Sequence, residues 1–204
     1  MAIKVKISFS DLFLDEENES LSPKDKEAVK IIRQNMLWSM GVGFVPFPIL
    51  DLIGVTMVQL DMLKSLCRLY EVNYSEVKGK ALISSLAGAS MARFWASFIK
   101  GIPLIGSIFG GVSMAILSGA STYALGRVFI QYLKDGSGIE DIPVDDAKVI
   151  YEEEFEKGKK VAENLKQEEA NIQHKLEQLQ ELKEKGIITE EEFEAKKKEW
   201  LDKM

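Results

Sequence analysis

From Gly101 to Gly126 the chain reads GIPLIGSIFGGVSMAILSGASTYALG, with no charged residue between the bracketing Lys100 and Arg127. A stretch this long can do one of two things. It can enter a bilayer, or it can form the centre of a helical bundle in which Gly, Ala and Ser let backbones approach closely. Both readings are open at this point, and each leads to a different function. The charges of the chain are segregated in keeping with the run. Between Tyr74 and Leu133 there are five basic residues (Lys78, Lys80, Arg93, Lys100, Arg127) and one acidic residue, Glu76, although the whole chain carries −6. A basic, apolar middle between acidic ends fits contact with anionic lipid headgroups. It equally fits a bundle with few surface acids.

The segmentation is helical throughout. Residues 1–21 form an N-terminal tail or docking arm, in which Ile3, Val5, Ile7 and Phe9 alternate with polar residues ahead of an acidic DEENE run. Ser22-Pro23-Lys24-Asp25 is a capped helix start, and Gly41 and Gly43 end that helix. Pro46 and Pro48 force an extended turn, and Pro48 opens a helix running to about Tyr70. Asn73 to Glu76 reads as a further capping box, with Glu76 reaching back to Asn73. The helix that follows carries small residues at Ser84, Gly88, Ala92 and Ala96. Gly101-Ile102-Pro103 breaks it. The next helix carries a second small-residue line at Gly111, Ala115 and Gly119, which predicts a closely packed antiparallel hairpin of the two. Asp135-Gly136-Ser137-Gly138 terminates this part.

Beyond Pro143 the composition turns to Glu, Lys and Gln. Residues 22–143 are therefore read as a Gly/Ala-rich helical domain, and residues 144–185 as one long charged helix and a coiled-coil candidate, with Gly158 weakening the regularity. Residues 186–204 form a short helix opened by Thr189-Glu190-Glu191-Glu192 and paired with 176–185 as a hairpin. The fold class is all-α: a helical bundle with antiparallel hairpins, a long charged helix and a short C-terminal helix.

Chemistry is sparse. With one cysteine (Cys67) and one histidine (His174) there is no intrachain disulfide, thiolate cluster or His-pair metal site, and most Ser-His or Cys-His triads are ruled out. Gly106, Gly110 and Gly111 have phosphate-loop spacing, but Val112 stands where the lysine is needed, so packing is the plainer reading. No catalytic residue, cofactor, metal or nucleic-acid surface is expected. Asp51 aligns with an apolar stripe, either as a partner-binding carboxylate or as a group satisfying the free N–H groups of a helix start. Arg93 could reach lipid phosphate or pair with Asp51 or Asp61. Asp61, Lys64 and Arg68 make a solvated stripe. Cys67 is read as core, and His174 as surface.

Two parts resemble known families. LWSMGVGFVPFPILDLIGVTMVQLDMLKSLCRLYEV, GKALISSL and GVSMAILSGASTYALGRVFIQ, within about Lys30 to Phe155, resemble the uncharacterised, GTPase-associated domain of the YcjF type. LEQLQELKEKGIITEEEFEAKKKEWL is similar to the SHOCT-type C-terminal hairpin, which is linked to oligomerisation or targeting. The first resemblance implies a helical bacterial protein of the cytoplasm or inner membrane. No GTPase domain is present in the chain, so a GTPase would be a partner in trans.

The leading expectation is a non-enzymatic, membrane-associated, self-assembling scaffold, cytoplasmic or peripheral or integral on the cytosolic face of the inner membrane. Gly88, Leu104, Ile105, Gly106, Gly110, Gly111, Ala115 and Gly119 would supply membrane or helix-packing contacts, and Asp51 with Arg93 an ion pair or polar switch. Basic flanks at Lys100 and Arg127 favour a re-entrant hairpin over a clean span. Homo-oligomers would form through Phe155, Val161, Leu165, Leu179, Leu182, Phe193 and Trp200, because the stripe is too narrow to bury itself. The alternative is a soluble helical module that binds a GTPase or another protein in trans.

Overall fold

Ser22 starts the first helix as its sequence predicts. Its hydroxyl accepts from the Asp25 N–H at 3.1 Å and donates to the Asp25 carboxylate at 2.8 Å. In a computed structural model, residues 22–42, 48–100 and 114–201 are described, and the side chains of 42, 48–52, 89–100, 169, 172, 200 and 201 fall outside that description. Six α-helices lie among the described residues: α1 (Pro23–Val42), α2 (Pro48–Tyr70), α3 (Glu76–Lys100), α4 (Met114–Leu133), α5 (Val144–Glu184) and α6 (Glu190–Leu201), with a 3-10 turn at Ile139–Asp141. The chain divides into two compact units, residues 1–162 and 163–204, so the boundary falls inside α5 rather than at Pro143.

In the first unit α4 is the central helix. Every residue from Ala115 to Gly126 is buried, as expected of a helix apolar and small all round. Three contacts set its direction against α1. Asp25 meets Lys134 at 2.7 Å, a Cβ at Gly126 would fall 2.6 Å from Ile32, and one at Gly119 would fall 2.8 Å from Met40. The two helices are therefore antiparallel. Gln59 of α2 reaches Ser121 and Thr122, and Gly79 of α3 lies under Leu63 and Leu60 of α2. The first half of α5 runs antiparallel along α4. A Cβ at Gly158 would stand 2.8 Å from the Ala120 carbonyl oxygen and 3.0 Å from its Cα, so this close crossing needs glycine. Gly158, which reads in sequence as a flaw in a coiled coil, is the point of closest approach between α5 and α4.

Two expectations are corrected. The α3 start is capped by Ser75, whose carbonyl accepts from the Gly79 N–H at 2.8 Å, and not by Asn73, which is exposed. The small-residue line on α4 packs chiefly against α1, α2 and α5, and only sparingly against α3. Among the described residues a Cβ at Gly88 meets nothing within 4 Å. α2 ends in a left-handed cap without glycine: Glu71 has φ 62°, and the Val72 N–H donates to the Cys67 carbonyl at 2.9 Å.

The second unit is the distal part of α5, a turn and α6. Gly186 (φ 66°) closes α5 while the Ile187 N–H donates to the Leu182 carbonyl at 2.9 Å. Thr189 and Glu192 then exchange capping hydrogen bonds at 2.9 and 3.2 Å. Leu179 and Phe193 are buried, and Lys183 lies 4.6 Å from the Phe193 ring centre.

Candidate functional site

The hydroxyls of α4 are used inside the protein. Gln59 Nε2 donates to Ser121 Oγ (3.2 Å) and Thr122 Oγ1 (3.4 Å), Tyr151 donates to Ser121 Oγ (2.9 Å), and Thr122 donates to the Ser118 carbonyl (2.9 Å). This thread joins α2, α4 and α5. Burial raises the Tyr151 phenol above its ordinary range, against the lowering effect of its Ser121 hydrogen bond. A cavity of about 210 Å³ lies beside the thread, lined by Val55, Thr56, Gln59 and Ser121 among others. The half of the charge-free run from Met114 to Gly126 therefore packs against protein. The remainder, with Leu104, Ile105, Gly106, Gly110 and Gly111, lies outside the described residues.

Arg127 is not a membrane-flanking cation. Its side chain is 17% exposed and its Nε lies 3.3 Å from Glu154 Oε2, while Glu154, 11% exposed, also takes Lys157 at 2.6 Å. Burial, together with the Glu154 charge and a hydrogen bond to it, pushes the Tyr123 phenol up to about 12 against the lowering effect of Arg127. Glu154 thus clasps α5 to α4 beside the Gly158 crossing. Sequence reasoning missed this pair because nothing local links positions 27 residues apart. Cys67 is buried, and burial pushes its thiol up to about 11. Asp61, Lys64, Arg68 and His174 are exposed. Asp51 lies on α2 and Arg93 on α3, but both side chains are outside the described residues.

The C-terminal stripe is not an open seam. Phe155, Val161 and Leu165 are buried within one chain, as are Leu179 and Phe193, while Leu182 is partly exposed. Of the two covers open to the proximal stripe, a second copy or the bundle, the structure gives Phe155 and Val161 to the first unit's own core. The Trp200 side chain is outside the described residues.

The antiparallel order has a consequence for charge. The C-terminal ends of α1 and α3 and the N-terminal ends of α2 and α4 lie at the same end of the first unit. Among the described residues that supply that end, 34–42, 48–60, 81–100 and 114–126, only Asp51, Arg93 and Lys100 are charged. The opposite end holds Lys24, Asp25, Lys134, Glu71, Lys78 and Glu140, several of them paired. At the charge-poor end Trp38 of α1 is 71% exposed. The outer face of α5 carries exposed Glu156, Lys157 and Lys160 near the level of Ala120. On α4 the span from Met114 to Ala120 is only about 9 Å at ~1.5 Å per residue. No helix among the described residues is long and apolar enough to cross a membrane. Among the described residues no group of His, Cys, Asp and Glu could hold a metal ion.

Comparison with known proteins gives two family matches. Residues 10–160 match the model described as Domain of unknown function (DUF697), and residues 174–199 match the one described as Short C-terminal domain. The chain is also similar to Magnetosome membrane protein 22 of Magnetospirillum gryphiswaldense, at 36% identity over 149 residues, covering 70% of this chain and 76% of the relative. No solved structure matches the chain.

Proposed function

The chain belongs to the DUF697 family, and from that premise we propose that it is a non-enzymatic, membrane-associated scaffold that meets the bilayer with the charge-poor end of its first unit. One observation carries the reading: four helices collect their charge-poor halves at a single end, where Trp38 stands exposed. Trp is a residue of the membrane–water interface. The short charge-free height on α4 beside the charged face of α5 favours interfacial contact of about 5–10 Å over insertion across the bilayer. The relative's printed name, a magnetosome membrane protein, supports membrane association in general. The short C-terminal hairpin is the part we assign to assembly of copies, with Ile187 and Leu182 as its exposed apolar residues.

The test is flotation with anionic liposomes. The wild-type protein is expected to float, and Trp38→Glu to float less at unchanged helicity, because Trp38 is exposed and the fold does not depend on it. A wild-type protein that remains unbound at low salt overturns the reading.

A second reading has its own support. Burial of Ala115–Gly126 within protein fits a soluble helical module that binds a GTPase in trans, the partner implied by the YcjF-type resemblance. Co-purification with a GTPase, from a protein that ignores liposomes, would favour it.

A further inference from the structure

Between α2, α3 and α4 small side chains leave space instead of making contact. Ser84, Ala87 and Gly88 of α3 line the cavity of about 210 Å³ beside the hydroxyl thread, together with Gln59 of α2 and Ser118 and Ser121 of α4. Its walls are completed by Val55, Ile83 and Met114, and no charged residue lines it among the described residues. Ser84 and Gly88 are exposed, whereas Gln59, Ser118 and Ser121 are buried, so the cavity has a mouth on α3 and a closed polar floor. The floor has hydrogen-bonding capacity that the protein does not use. The Gln59 amide nitrogen donates to Ser121 and Thr122, but among the described residues its Oε1 accepts nothing. Ser121 Oγ accepts from Gln59 and Tyr151, and its own proton has no acceptor among them. Ser118 Oγ has no partner among them either. Such groups are costly in a buried place unless something pairs with them.

We propose that this cavity binds a small neutral alcohol, whose hydroxyl donates to Gln59 Oε1 and accepts from Ser118 or Ser121 while its apolar body lies against Val55, Ile83 and Met114. Three observations select this ligand class. The first is volume. A dry cavity of about 150 Å³ takes benzene, so this one takes a body of about eight non-hydrogen atoms. The second is charge. A carboxylate or ammonium would be desolvated there without a counter-charge. The third is the pairing of unused groups. An acceptor and donors stand together on the floor, and a hydroxyl both donates and accepts through one atom. Water would satisfy the floor but leave the apolar walls uncovered, and a hydrocarbon would cover the walls but leave the floor unpaired. The ligand is held between helices and not on the outer surface that carries Trp38, so the site does not depend on membrane contact.

The test is methyl NMR of the full chain with isotope-labelled methionine methyls, without lipid or detergent, titrated with benzyl alcohol and with toluene. The two probes share a body and differ in the hydroxyl. Benzyl alcohol is expected to shift the methyl of Met114, which lines the cavity, and to leave that of Met36, buried on α1, in place. It is expected to bind roughly tenfold more tightly than toluene, the net effect of one or two hydrogen bonds to the floor. In a purely apolar space the order reverses, because the hydroxyl loses its water without a substitute. Gln59→Leu removes the acceptor and is expected to make toluene the tighter probe. Ala87→Leu, at a half-buried position on the wall, is expected to fill the space and abolish the Met114 shift from both probes at unchanged helicity. A Met114 methyl that benzyl alcohol does not move overturns the proposal, as does tighter binding of toluene by the wild type. Benzyl alcohol binding that survives Ala87→Leu overturns it as well, whether or not Gln59→Leu folds.

Discussion

Gly158→Ala and Gly88→Ala make the same chemical change at two mid-helix glycines and are expected to move stability in opposite directions. Replacing a helix-interior glycine by alanine gains about 0.5–1 kcal/mol, because the unfolded chain loses freedom and the helix gains propensity. At Gly88 nothing among the described residues lies within 4 Å of the new methyl, so that gain is expected in full. At Gly158 the methyl would stand 2.8 Å from the Ala120 carbonyl oxygen, 3.0 Å from its Cα and 3.0 Å from Tyr123 Cδ1. Two of these are backbone atoms and cannot rotate away, so α5 must back off α4. Separating them loosens the Tyr151–Ser121 bond and the Arg127–Glu154 pair on either side. Overpacking of this kind costs about 1–3 kcal/mol, which exceeds the propensity gain. The expected net is a loss of about 1–2 kcal/mol for Gly158→Ala, and each kcal/mol corresponds to about 2–4 °C in Tm for a chain of this size. Thermal melts followed by circular dichroism check both variants together. If Gly158→Ala melts at or above the wild type, the close crossing of α5 over α4 is refuted.

Two other expectations follow from the buried charges. Glu154→Leu alone strands the Arg127 guanidinium and should cost about 3–5 kcal/mol, whereas the double variant Glu154→Leu/Arg127→Met should recover much of the loss in urea denaturation; equal losses would show that no charge is stranded. For Asp25, burial alone would raise the carboxyl, but hydrogen bonds from Lys134 and Ser22 and the Lys134 charge hold it below 3.8. Its stabilisation is therefore complete above that value and is lost as pH falls through the lower folded-state value, so the Tm gap between wild type and Asp25→Asn should be present near neutrality and close in strong acid. A gap constant across that range would place the stabilisation elsewhere.

Much of the local structure is legible because its causes are local. Ser22 beside Pro23, Thr189 three residues before Glu192, and glycines at 136 and 186 act within one turn of backbone, and the helix ends fall at these residues. The Asn73 expectation failed within the same logic, because Ser75, two residues on, offers a competing cap. The candidate site was far less legible. Whether Arg127 flanks a membrane segment or sits in a clasp depends on Glu154, which only folding brings near. The amphipathic stripe of Phe155 and Val161 has a fixed spacing in the sequence, but its cover is set by which helix lies opposite.

What the sequence determines alone is where most helices start and stop, which of them are rich in small residues, and that the charges are unevenly distributed along the chain. Those properties depend on neighbours within a turn or two. Tertiary structure decides which faces meet and which ends coincide. Gly119 and Gly126 accept Met40 and Ile32 of α1, Gly158 accepts the backbone of α4, and the charge-poor halves of four helices gather at one end. The physical reason is that close packing is a property of pairs of surfaces. A glycine opens a space without specifying what fills it, and only the antiparallel order of the folded chain selects the occupant.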